Sequence, residues 1–170
     1  MLTEEPCTTI NFKDVIIRRD AEIPLQKFTD HFKGFERVRA VRELFGEETK
    51  TVLQDLKVEF SSRRGYMGVS NQDGHLIVSI RYLRSGEALD IYLDIIHELV
   101  HVKQFRNGVE LHDRRFNYSN RPTEVEAYAH AVKEARRIGV SDERIYDYLQ
   151  TEWMSDEEVK QLADAVDVHI

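Results

Sequence analysis

Between Pro24 and Phe45, apolar residues recur every three or four positions: Leu25, Phe28, Phe32, Phe35, Val38, Val41, Leu44 and Phe45. That period predicts an amphipathic helix, with Pro24 in its first turn and a break near Gly34. The pattern then shortens. VLQDLKVEF (52–60) alternates and predicts a strand. YMGVS and HLIVSIRYL flank the turn sequence NQDG, which predicts a hairpin. From Ser85-Gly86 the helical period returns and runs to about Arg106, where Asn107-Gly108 ends it. Residues 109 to 121 carry no period and predict a loop. Pro122 opens a helix that runs to Gly139. Ser141 and Ser155 each precede an acidic first turn, and Ser155-Asp-Glu-Glu158 has the form of a capping box. Helix, three strands, then four helices is an α+β order, with a small antiparallel or mixed sheet.

The helix over 86–106 contains IIHELVHVKQF (95–105). Leu89, Tyr92, Leu93, Ile96 and Val100 make an apolar stripe on it. His97 and His101 are one turn apart and share another face, which Asp90 and Asp94 continue towards the N-terminus. Glu98 lies about 100° round from His97. Two imidazoles one turn apart can reach one metal ion. A glutamate beside the first can reach a water on that ion, whose pKa zinc lowers to roughly 7, and take its proton. A bare His-Glu-x-x-His also arises by chance. Its place in mid-helix, among Ile95, Ile96, Leu99 and Val100 and after a hairpin, favours the zinc reading.

A catalytic zinc site needs a third protein ligand. The following helix offers Thr123-Glu124-Val125-Glu126-Ala127-Tyr128-Ala129-His130. His97-Glu98-Leu99-Val100-His101 followed by Glu124-Val125-Glu126-Ala127 resembles the gluzincin metallopeptidases. The Glu-x-Glu-Ala form is similar to the ImmA/IrrE family and the minigluzincins, over about residues 60 to 138. The resemblance implies a zincin-like α+β domain with one Zn²⁺ per chain. It implies His97 and His101 as zinc ligands, Glu98 as general base and Glu126 as third ligand. Glu124 is the alternative, since the two point about 160° apart on a helix and only one can bind. It also implies a peptide or protein substrate, paired along an edge strand around residues 74 to 83, and a C-terminal segment able to cover the cleft.

An oxyanion donor is also expected. Tyr118, Tyr128, His112 and His130 are the candidates. His130, one turn after Glu126, ranks first as a catalytic residue. Asp94 is placed to hydrogen-bond a ligand histidine. The leading alternative is a zincin-fold protein that binds zinc and acts through regulation or interaction without cleaving peptides.

Composition narrows the picture in a few places. The 170 residues suit a single domain over 1–170, its core about 24–138 and a helical extension about 141–168. A net charge of -7 and the lack of a helix-turn-helix pattern argue against a nucleic-acid partner. The arginine pairs Arg18-Arg19, Arg63-Arg64, Arg114-Arg115 and Arg136-Arg137 read as solvated faces. With one cysteine, Cys7, there is no intrachain disulfide and no cysteine-rich metal site. The polar N-terminus does not read as a signal peptide, and no apolar run reaches membrane-spanning length. The expected compartment is the cytoplasm, with no membrane partner. His31, His75 and His169 read as surface residues, and Trp153 with Tyr146, Tyr148 and Leu149 as helix packing.

Overall fold

The computed structural model describes residues 8–20 and 25–170; Cys7 and Pro24 lie outside the described residues. The chain divides into two compact units, Met1–Tyr92 and Leu93–Ile170. The fold is α+β: all the strands described fall in the first unit, and the second is helical.

The first unit starts with a hairpin that the sequence pattern did not announce. Strands β1 (Thr9–Phe12) and β2 (Val15–Arg18) pair antiparallel, Ile10 opposite Ile17 and Phe12 opposite Val15. Ile10, Val15 and Ile17 are buried. Four residues per strand are too few for alternation to stand out.

The single helix expected from Pro24 to Phe45 is corrected. The chain instead forms β3 (Gln26–Lys27), α1 (Phe28–His31), β4 (Phe32–Lys33), a 3-10 turn at Phe35–Arg37, and α2 (Arg39–Phe45). Gly34 causes the break. It sits at φ 91°, in the left-handed region, and a Cβ there would lie 2.4 Å from the Asp14 carbonyl oxygen. Phe32 and Lys33 are drawn into pairing with β2, completing a three-stranded sheet β1-β2-β4. The apolar period survives the break because each short piece still points inward. Phe28, Phe32, Phe35, Val38 and Val41 are all buried, and the Phe28 ring lies 5.0 Å from Phe32 and 5.7 Å from Phe35.

The strand expected over 52–60 is shorter than the pattern suggested. Residues 52–55 complete helix α3 (Thr49–Asp55), and β5 (Lys57–Ser61) follows. Strands β6 (Met67–Val69) and β7 (Leu76–Ser79) form the expected hairpin, but the second strand stops at Ser79 and residues 80–83, read as its continuation, are helical. The second sheet runs β3-β5-β7-β6, with β5 and β7 parallel and both outer strands antiparallel. Strand β7 is therefore paired on both sides, and the edge along which a peptide was expected to pair is not there. The edge on that side is β6. After Ser79, whose hydroxyl accepts from the Tyr82 amide, the chain turns into α4 (Ile80–Ser85).

Helix α5 (Ala88–Arg106) begins in the first unit and ends in the second. The second unit continues through a loop with a 3-10 turn at Tyr118–Asn120 to α6 (Pro122–Arg137), α7 (Asp142–Leu149) and α8 (Asp156–Ala165). Ser141 caps α7, and Ser155 with Glu158 makes the capping box expected of α8. Helix α8 buries Val159, Leu162 and Ala163 and packs on the 118–120 turn, so it belongs to the core of this unit. Among the described residues no helix is long and apolar enough to cross a membrane.

Of the histidines expected at the surface, one is buried and one is only partly exposed. His31 is buried, its ring 4.6 Å from that of Phe60 and bonded to Gln26. His75 is mostly covered and bridges two acids, Nε2 2.7 Å from Glu59 Oε2 and Nδ1 2.5 Å from Asp73 Oδ1.

Candidate metal centre

Helix α5 is buried on nearly all sides. From Ile91 to Gln104 only Asp94 and Lys103 are partly open. Its polar stripe therefore lies inside the protein. His97 is 4% exposed, Glu98 7% and His101 6%. Buried polar groups must find partners or incur a desolvation cost of about 1–3 kcal/mol each, so where these three point is decisive.

Two of them meet Glu124. His97 Nε2 and Glu124 Oε2 are 3.1 Å apart, His101 Nε2 and Glu124 Oε2 3.3 Å, and the two Nε2 atoms 3.1 Å. Three potential metal-donor atoms thus form a nearly equilateral triangle. A tetrahedral ion with bonds of about 2.0–2.1 Å holds its ligands about 3.3–3.4 Å apart, so the donor set fits a single metal ion. His97, His101 and Glu124 form a buried group able to hold one.

The third position corrects the preference for Glu126. Helix α6 starts with Pro122 and buries Thr123, Glu124, Ala127, Tyr128, Ala131, Val132 and Ala135, a stripe at three- and four-residue spacing. Glu124 is in phase with that stripe. Glu126 is exposed, on another face, and its Oε2 accepts a hydrogen bond from Gln104 Nε2 at 2.8 Å. The signal was present in the sequence, because Ala127, Ala131 and Ala135 are small residues in register with Glu124 alone.

Gln104 escaped sequence reasoning altogether. It is buried, three residues beyond His101. Its Oε1 accepts from His101 Nδ1 at 2.7 Å, and its Nε2 donates to the Thr123 carbonyl at 3.1 Å as well as to Glu126. The spacing, i to i+3 on the ligand helix, was the available clue.

Asp94 does not serve a ligand histidine. It accepts from the Tyr148 hydroxyl at 2.8 Å, while His97 Nδ1 has no hydrogen-bond partner. Tyr128 lies edge-on to His97, ring centroids 4.3 Å apart, and its hydroxyl is 3.0 Å from that of Tyr118. The Tyr118 ring in turn meets Trp153 at 5.7 Å. Of the four oxyanion candidates, Tyr128 is therefore the one whose ring meets His97, with Tyr118 behind it. His130 shares the outer face of α6 with Glu126, is half-buried, and is not brought to the trio. His112 lies on the exposed loop, held beside α6 by the bond from Thr123 Oγ1 to the Leu111 carbonyl at 2.9 Å.

Electrostatics follow from this burial. Desolvation lowers the His97 pKa, and Glu124 offsets it only in part. For His101 desolvation also lowers the pKa, but the hydrogen bond to Glu124 and the charges of Glu98 and Glu124 prevail and raise it to about 9. Burial pushes the Glu124 carboxyl up, and the bonds from His101 and His97 overcome that and hold it well below the usual range. Glu98 has no such relief. Desolvation, added to the charges of Glu124 and Asp94, raises it to about 8 against the pull of His101, and its Oε2 has no hydrogen-bond partner. A carboxyl poised near neutrality beside three converging donors suits proton transfer.

A surface cleft of about 320 Å³ lies in the first unit, lined by Ile16, Phe32, Lys33, Arg37, Lys50 and Leu53 among others. None of the trio lines it. No protein-family model matches the chain, no curated protein matches it, and no solved structure matches it.

Proposed function

We propose that this chain is a zinc-dependent metallopeptidase of zincin type, with His97, His101 and Glu124 as the zinc ligands and Glu98 as the group that moves the proton. The observation that carries the reading is the triangle of Nε2, Nε2 and Oε2 atoms with 3.1–3.3 Å sides, beside an unpartnered buried carboxyl. Two imidazoles and one carboxylate make a donor set suited to zinc, and three protein ligands leave a fourth position open. When bound, zinc supplies Lewis acidity: it lowers the pKa of a coordinated water to about 7 and polarises a carbonyl oxygen.

The chain's own residues account for the rest. Glu98, one residue after His97, accepts a proton at its free Oε2 and returns it to the leaving amine. Gln104 holds the far side of His101. Tyr128 covers one face of His97 and brings a hydroxyl to that side of the site, where it can donate to a developing oxyanion. Glu126 and His130 have no part in this chemistry as ligand or acid.

The test is metal content together with activity. Natively purified protein is expected to hold close to one zinc per chain, to lose it in Glu124→Ala, and to keep it in Glu126→Ala. Glu98→Gln is expected to keep zinc and to lower peptide hydrolysis by about 10²–10⁴-fold. Zinc that persists in Glu124→Ala and disappears in Glu126→Ala would sink the ligand assignment.

One observation favours a second reading. All four side chains of the site are at most 7% exposed, and a peptide must reach them to be cut. A buried zinc that only stabilises a regulatory or interaction domain needs no such access. In that case the zinc content is the same, and wild type and Glu98→Gln are equally inert towards a peptide library.

A further inference from the structure

Glu126, expected as the third metal ligand, is not among the three converging donors, yet it is bonded to them through one buried amide. Gln104 spans from the ligand helix α5 to the first turn of α6. It receives the His101 Nδ1–H at 2.7 Å and gives its two amide protons to the Thr123 carbonyl at 3.1 Å and Glu126 Oε2 at 2.8 Å. A glutamine amide can be turned over, and the turned form would point NH₂ at His101 and Oε1 at Glu126. Here that form is excluded, because it would set two acceptors, Oε1 and the Glu126 carboxylate, against each other, and would leave the Thr123 carbonyl without a donor.

We infer that Gln104, held in one orientation by Glu126, is a positioning residue for the metal centre. It holds a proton of His101 on Nδ1, so that Nε2, which faces His97 and Glu124, is the nitrogen whose lone pair a bound ion would take. A ligand imidazole needs its second nitrogen held in this way, and partners of this kind are worth about 10–100-fold in metal affinity. His97 has no equivalent, since its Nδ1 is unpartnered. The orientation of the pair of histidines therefore depends on this one amide and on the Tyr128 ring. Glu126 acts at one remove: its carboxylate sets the amide, the amide sets the imidazole, and the imidazole holds the ion. The inference rests on the metal reading above, and its consequence is a preference built from donor and acceptor identities that can be exchanged.

The experiment is a zinc-affinity series by chelator competition on the full chain, with thermal melting of each metal-free variant as a folding control. Gln104→Leu is expected to bind zinc about 10–100-fold more weakly than wild type. Gln104→Glu alone places two carboxylates together and is expected to be weak as well. Adding Glu126→Gln to Gln104→Glu restores one donor facing one acceptor while the Thr123 carbonyl still lacks its donor, and affinity is expected to recover in part, above that of Gln104→Glu alone. A residue with only a packing role would not be rescued by that exchange. A Gln104→Leu variant that binds as tightly as wild type overturns the inference, and so does an exchanged pair no better than Gln104→Glu. The positioning role is checked independently of the metal reading, by ¹⁵N-edited spectra of the metal-free protein. A slowly exchanging His101 Nδ1 proton that is present in wild type and lost in Gln104→Leu supports the positioning role even if no zinc binds. Its absence from wild type overturns it.

Discussion

His31 and His75 have the same side chain and opposite dependences on pH. Desolvation lowers the His31 pKa, helped by Arg18. Its folded pKa is below the unfolded value of 6.5, so its contribution is fully present above that value and is lost as pH falls towards the folded pKa. Desolvation also acts on His75, but the hydrogen bonds to Glu59 and Asp73 outweigh it and raise the pKa. Its contribution is full below 6.5 and is lost as pH rises through the raised folded value. Because both acids are largely exposed, about 0.5–1 kcal/mol is expected from His75. His75→Gln should therefore be less stable than wild type near pH 6, with the gap closing towards pH 9. Denaturant midpoints across that range check it, and a gap that widens with pH would count against the clasp. Neither environment was legible beforehand, because both depend on partners brought in by strand pairing. The meeting of His97 and His101 was legible, since four-residue spacing on one helix places two imidazoles together whatever the rest of the chain does.

At the level of elements, legibility followed length. Helices α5 and α6 run through four or more turns, and their boundaries were read from Pro122, Gly108 and the apolar period. The capping box of α8 was read from four residues. The stretch before Phe45 was misread because its period of three to four is also what a series of short inward-pointing pieces produces. Gly34 distinguishes the two cases. Gly34→Ala would place a methyl group 2.4 Å from the Asp14 carbonyl oxygen and 2.9 Å from the Arg37 guanidinium, in a left-handed conformation. A loss of about 2–4 kcal/mol is expected from strain and backbone clash together. A variant within 0.5 kcal/mol of wild type by chemical denaturation would show that Gly34 does not set the break. Ser155→Ala is a milder case, expected to cost about 1 kcal/mol through loss of the cap on the Glu158 amide. The choice between Glu124 and Glu126 also belongs to this scale. Neighbouring sequence favoured one and the phase of the whole helix selected the other.

For the molecule as a whole, the α+β class was legible and the division at Tyr92 was not, because it falls within a continuous helix. The candidate centre lies entirely in the second unit, Leu93–Ile170. Zinc at 100 times its dissociation constant is expected to stabilise the form that binds it by about 2.7 kcal/mol. Hydrogen exchange should record this as slower amide exchange in the second half of α5 and the first turns of α6; unchanged exchange there on adding zinc would count against the centre. The donors of the trio have a further consequence. His97 and Glu124 are 27 residues apart in the chain, and the exposed Arg114 and Arg115 lie in the loop between them. An ion held by both helices closes that loop as a covalent cross-link would, in a protein whose single cysteine permits no intrachain disulfide. Chelation then amounts to cutting a staple. Trypsin should reach the bonds after Arg114 and Arg115 sooner in the metal-free chain, and an ion bound there, whatever chemistry it supports, would also decide how long this part of the protein survives.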